Sequence, residues 1–409
     1  MFPKPDFVYV PLCPLGACGY NFSMTPLTLS DFTPSTGEMV ALLQRLAGIE
    51  SPTTAKVAVD RLGAALADEL RPLGAELTIY PQAAVGDNLL AQFNPHPELL
   101  AADQKPLLVL CHMDTVHELG TLERFPVRVE GDVLRGPGVF DMKGGIVVLL
   151  FALRRLREIS GGSLPLRRPL WTLFTSDEET GSQTSRPLIE SLARQAAGVF
   201  CLEPALSGGE LKTSRKGTGE IVLTTHGRAA HAGSDHAQGR NAIEELAHHI
   251  LSVQKLTDYT RGTTTNVGIV QAGSRTNVVP DEARAFVDFR ISDSAEVARL
   301  QAWAAGLQPV IEGCTVQAEV STNRPPMPRD ATMVLAFQKA QAIGRKLGLE
   351  LGEGAAGGAS DANFVAPLGV PVLDGLGVRG DGAHSEREHT LIASLPERAA
   401  LLAALLMEW

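Results

Sequence analysis

The stretch "LLVLCHMDTV", residues 107–116, decides how this chain is read. Leu107 to Leu110 form a continuous apolar run, the pattern of a short strand buried on both faces. His112 and Asp114 follow, placing two polar, metal-competent side chains at the mouth of a hydrophobic sheet. Three other runs share the pattern: Leu170–Thr175, Val199–Leu202 and Val370–Leu373, each followed by Gly, Pro or acidic residues. Between them the spacing is helical. Ile146, Val147, Leu149, Leu150, Leu153 and Leu156 recur three and four apart, and 390–408 reads as a closing helix. Strands alternating with helices predict an α/β domain, a mostly parallel sheet flanked by helices.

From about residue 214 to 323 the texture changes to half-exposed strands at Val222–Thr224, Asn266–Val270, Ala285–Arg290 and Thr315–Val320. Helical segments near 240–256 and 294–307 separate them. Two helices on one side of a four-stranded antiparallel sheet make a ferredoxin-like α+β unit, here inserted into the main domain. A chain of 409 residues is long for one domain, which agrees. The expected division is a loose, Pro- and Gly-containing tail over 1–30, a main domain over 31–213 and 324–409, and the insert over 214–323. Internal repeats are absent, and 354–359 is merely rich in Ala and Gly.

Composition excludes several classes of function. A net charge of −10 without a basic stripe argues against a nucleic-acid partner. No apolar stretch reaches the roughly 20 residues of a membrane helix, and the first 23 residues lack the charge and apolar run of a signal peptide. Met24 is a second candidate start. Five scattered cysteines, an odd number, do not read as a disulfide framework, and a reducing, cytoplasmic setting is expected.

In open α/β sheets, ligands gather beyond the carboxyl ends of the strands. There this sequence places His112 with Asp114, then Ser176-Asp177-Glu178-Glu179, then Glu203, and, through a Gly-rich loop, His384. Asp141 lies in "GPGVFDMKGG", residues 136–145, just before a helix. Two histidines and three carboxylates at one sheet edge could hold one or two divalent ions, and imidazole with carboxylate suits zinc. Taken singly each has an ordinary reading: a hydrogen-bonded histidine, carboxylates at a helix start, glycines in a tight turn. Phosphate-loop and serine-hydrolase motifs are absent. It is the coincidence of five that points to metal.

The blocks "CHMDTV", "GPGVFDMKGG", "TSDEETGS", "CLEPA" and "GDGAHSEREH" resemble, in order, the signature blocks of the M20 family of dinuclear zinc peptidases and deacylases. Within the family the sequence is most similar to the glutamate carboxypeptidase branch, from about residue 35 to the C-terminus. The resemblance implies five metal ligands, His112, Asp141, Glu179, Glu203 and His384, for two zinc ions, with cobalt or manganese as substitutes. Asp141 would bridge the ions, His112 and Glu203 completing one site and Glu179 and His384 the other. Asp114 would orient the His112 ring, Glu178 would be the general base, and the Asp141–Met142 peptide would be cis.

The same resemblance makes the insert a lid and dimerisation domain, and the protein a homodimer. His231 in "GRAAHAG" would reach the partner's active site, and Asn277 and Arg290 would hold the substrate's α-carboxylate. Arg324 in "TNRPPM" would pair with a glutamate side chain, its ordinary reading being a hinge arginine. Ser214-Arg215-Lys216 departs from that branch. The leading expectation is an exopeptidase releasing a C-terminal acidic, glutamate-like residue from small peptides or N-acyl conjugates. A deacylase of N-acyl amino acids is the alternative. A non-catalytic relative would be expected to lack the base or a ligand, and every such position is filled.

Overall fold

The computed structural model describes residues 27–94 and 105–409. Cys13, Cys18 and Met24, with most of the expected tail, lie outside the described residues. Leu27, within that expected tail, is packed into the core, and Leu29–Asp31 form a short turn tied to Thr28. The main sheet has six strands, in the order 76–80, 88–93, 170–175, 107–112, 198–201 and 372–373. The last four run parallel. The first two form an antiparallel edge on Leu170–Thr175 that the sequence reading did not anticipate. Glu76–Tyr80 is largely exposed, so it carries no apolar run to announce it.

Leu107–His112 is buried at every position because it is covered on both sides. Leu107, Val109 and Cys111 face one apolar cluster, and Leu108 and Leu110 the other. On the first side, helix Lys143–Ile159 packs against Ser394–Glu408 and Thr36–Ala47. Its first half is buried all round, beyond what one amphipathic stripe would require. A Cβ at Gly145 would collide with the Leu202 carbonyl, so this helix start sits directly on the segment that carries Glu203. The closing helix begins at Ser394, because His389–Leu391 joins a small antiparallel sheet with 380–381, 133–135 and 128–130.

Residues 217–324 contain a four-stranded antiparallel sheet, ordered 264–272, 282–291, 217–226 and 315–324. Helices Ala242–Gln254 and Ala295–Ala305 pack on it around Ile221, Leu246, Val287, Phe289 and Leu300. Every strand is longer than its apolar core suggested, since the ladder continues through the polar residues of the open face. The two chain crossings into this unit are paired with each other: Arg215 N–H donates to Met327 O at 2.9 Å, and Met327 N–H returns to Arg215 O at 3.0 Å. Among the described residues, no helix is long and apolar enough to cross a membrane.

Candidate metal centre

The strand ends do bring the candidate residues together. His112 ends one strand, and Glu178 and Glu179 lie in a turn just beyond Thr175 of the next. Glu203 follows the strand ending at Cys201. The small sheet supplies the other two: Val133–Arg135 runs into the loop of Asp141, and His384 lies between its partner strands 380–381 and 389–391.

Asp141 stands between the two histidines. His112 Nε2 lies 3.1 Å from its Oδ1, and His384 Nε2 lies 3.4 Å from its Oδ2. Glu203 Oε1 is 3.6 Å from His112 Nε2, and Glu179 Oε2 is 3.1 Å from His384 Nε2. One ligand atom each from His112, Asp141 and Glu179 lie within 4.8 Å of one another. His384 has φ +62°, in the left-handed region that histidine adopts more readily than most side chains. The Asp141–Met142 peptide is cis.

Asp114 holds His112 chiefly through its main chain. The ring Nδ1–H donates to the Asp114 carbonyl at 2.9 Å, with the carboxylate at 3.5 Å. That carboxylate is occupied elsewhere, accepting from Thr53 Oγ1 at 2.6 Å and from the backbone N–H groups of Glu178 and Glu179 at 3.2 and 3.1 Å. Asp114 thereby fixes both the imidazole and the turn that bears the two glutamates.

Two supports escaped the sequence reading. Buried Glu388 accepts the N–H groups of Gly138, Phe140 and Asp141 at 2.9, 2.9 and 3.0 Å, and lies 2.8 Å from His117 Nε2. Buried Arg215 reaches Glu203 Oε2 at 3.0 Å and Asp374 Oδ2 at 2.5 Å. Asp374 follows Val372–Leu373 directly, so the strand-end rule that found His112 was also the signal for it.

Glu178 is buried, with its Oε1 2.8 Å from Arg324 Nη2. The same nitrogen donates to the Glu178 carbonyl at 2.9 Å and Ser182 Oγ at 2.8 Å, and Asp361 Oδ1 is 3.4 Å away. Arg324 is therefore a buried, multiply bonded cation beside Glu178. Both line a cavity of about 610 Å³ with Glu179, His384 and Arg290, the last held by Asp288 at 2.9 Å. His231 and Asn277 are not brought to it. They sit together at the far side of the insert, where Ala232 N–H donates to Asn277 O at 3.0 Å. The exposed His231 ring accepts at Nδ1 from the N–H groups of Gly233 and Ser234, each at 3.1 Å.

The field in the cluster favours positive charge. Hydrogen bonds to Asp141 and Glu179 push His384 up to about 11. Burial opposes protonation of His112, yet Asp114, Asp141 and Glu203 carry it well above the ordinary histidine value. Asp141 is held below the usual carboxylate range, its burial outweighed by the two histidines. Burial, with the negative Glu203 and Asp361, pushes Glu178 well up despite Arg324 and His112. Nitrogen and oxygen donors without sulfur, arranged around an excess of carboxylate, fit a divalent cation of the zinc, cobalt or manganese type.

The description of peptidase family M20/M25/M40 matches residues 108–408. Carboxypeptidase G2 of Pseudomonas sp. (strain RS-16) is 32% identical over 387 residues, 92% of this chain and 91% of that protein. The succinyl-diaminopimelate desuccinylase of Gluconobacter oxydans (strain 621H) is 28% identical, covering 74% of this chain and 82% of its own. A tripeptidase from Staphylococcus aureus subsp. aureus Mu50 shares the fold, with TM-score 0.73 at 20% identity over 94% of this chain and 99% of that one. The metal-type donor cluster and these likenesses agree, and the chain belongs to peptidase family M20/M25/M40, an enzyme of the peptidase and amidohydrolase kind.

Proposed function

We propose that the protein is a two-zinc exopeptidase that hydrolyses the amide bond before a C-terminal, acidic residue. The observation that carries this is Asp141, whose two oxygens face two different histidines, each with its own glutamate. His112 and Glu203 would hold one ion and Glu179 and His384 the other, with Asp141 shared. Residues 31–213 and 324–409 form the catalytic domain in this reading, and 214–323 the lid through which two chains pair. Three buried free cysteines, Cys111, Cys201 and Cys314, fit a reducing, cytoplasmic setting.

The ions, when bound, supply Lewis acidity to the scissile carbonyl and make water more acidic. Glu178 lies in the same cavity beside Glu179 and takes the proton from the attacking water. The carbon–oxygen bond forms, the carbon–nitrogen bond breaks, and Glu178 returns the proton to the leaving amine. Its burial suits it to hold that proton between the two steps. Arg290 offers a cation to the α-carboxylate. Arg324 offers a second to an acidic side chain, exchanging its Glu178 contact for the substrate.

The resemblance to carboxypeptidase G2 over nearly the whole chain favours the peptidase reading, and the desuccinylase likeness supports deacylation of N-acyl amino acids as the second. Release assays across N-blocked amino acids and dipeptides, with zinc supplied, separate them. Turnover confined to conjugates of acidic amino acids supports the first. Preference set by the acyl group, whatever the amino acid, supports the second. No hydrolysis of any member refutes both.

A further inference from the structure

The strand Leu211–Arg215 delivers a guanidinium to the back of the candidate metal centre, and its surroundings leave it little freedom. Arg215 is only 4% exposed. Its Nε lies 2.5 Å from Asp374 Oδ2, its Nη2 3.3 Å from Asp374 Oδ1, and its Nη1 donates to the Gly358 carbonyl at 3.2 Å. Asp374 is itself fully buried and braced by the Gly375 N–H at 2.6 Å and Ser360 Oγ at 3.2 Å. The Arg215 main chain is pinned in both directions to Met327. All three guanidinium nitrogens are thus engaged by fixed groups, and what remains is the 3.0 Å contact from Nη2 to Glu203 Oε2.

That contact divides the Glu203 carboxylate. Oε2 faces Arg215, with Lys212 Nζ at 3.9 Å, while Oε1 faces His112. An oxygen in a charge-assisted bond to a clamped arginine is a poor second donor to a metal, and its swinging away would cost the shorter of the two bonds that Nη2 of this buried guanidinium makes. Lysine offers one point charge in place of a planar fork and could not hold the carboxylate in the same plane.

We infer that Arg215 is a positioning residue that makes Glu203 present a single oxygen to the metal centre, and so sets the affinity of the site completed by His112 and Glu203. This rests on the two-metal reading above. It gives Arg215, which the sequence marked only as a departure, a task in metal retention instead of the substrate pocket.

The test is zinc titration of the full chain, stripped by chelation, against a chromogenic chelator, for wild type, Arg215→Met, Arg215→Lys and Asp374→Asn. Wild type should bind two equivalents. Both Arg215 variants should lose about 10- to 100-fold in affinity for one equivalent and keep the other. Asp374→Asn, which loosens the clamp and leaves Arg215 in place, should show a smaller loss in the same equivalent. Circular dichroism checks folding, and if Arg215→Met does not fold, Arg215→Lys decides, since it keeps a buried cation. Two equivalents bound identically by wild type and Arg215 variants, or equal weakening of both, would overturn the inference alone. Wild type that binds no zinc would overturn the two-metal reading beneath it.

Discussion

Glu388 accepts the backbone N–H of Asp141 at 3.0 Å, so the residue between the two histidines is held by a carboxylate from the loop that supplies one of them. The same carboxylate takes the N–H groups of Gly138 and Phe140, so one side chain fixes three positions of the Asp141 loop. Glu388→Gln preserves the shape and removes the charge and one acceptor oxygen. Metal affinity should fall about 10-fold or more, as for other residues that hold metal ligands. Chelator competition measures it, and an affinity equal to wild type would show that the loop is held without this charge.

Metal removal is the broadest check. Dialysis against a strong chelator should abolish hydrolysis, and zinc, cobalt or manganese should restore it. Elemental analysis of active protein should find two ions per chain. Active protein free of transition metal would end the metal mechanism.

Adjacent glutamates should fail in different ways. In the proposed mechanism Glu178→Gln removes the base, so turnover should drop by at least about 100-fold while bound metal is unchanged. In the same reading Glu179→Gln removes a ligand, so metal content should fall with activity. If both variants keep their metal and only Glu179→Gln is inactive, the two assignments are exchanged.

The remote position of His231 makes a prediction about assembly. If it serves the partner's cavity, His231→Ala and Glu178→Ala homodimers should each be nearly inactive. In a heterodimer, the chain carrying His231→Ala keeps its Glu178 and receives an intact His231. Random pairing of equal amounts makes about half the dimers mixed, so about a quarter of all sites should work. Subunits that exchange freely, shown by tagged pull-down, yet stay inactive would exclude service between chains.

What the sequence revealed follows from the range of each signal. A strand buried on both faces is a local pattern, so Leu107–Cys111 and Leu170–Thr175 were legible, and the strand-end rule led from them to His112 and Glu178. The edge strand 76–80 was not, because an exposed edge needs no apolar run, and the buried 88–93 was not, because its short apolar stretch Leu89–Ala91 is flanked by the polar Asn88 and Gln92. Glu388 and Asp361 are common residue types whose partners lie far off in sequence, as with Glu388 and Gly138 or Asp361 and Arg324. Nothing local distinguishes them from solvated carboxylates. Thr53 met Asp114 only once the chain had folded.

The paired crossings at Arg215 and Met327 have a mechanical consequence. Two segments bonded side by side resist sliding past one another, so a swing of residues 217–324, were it to occur, would turn about this bridge. Arg215 lies in the bridge and Arg324 three residues before Met327, and their guanidinium groups grip Glu203 and Glu178. Torque at such a hinge would reach both carboxylates through these two arginines, by a short stretch of chain on either side of the bridge.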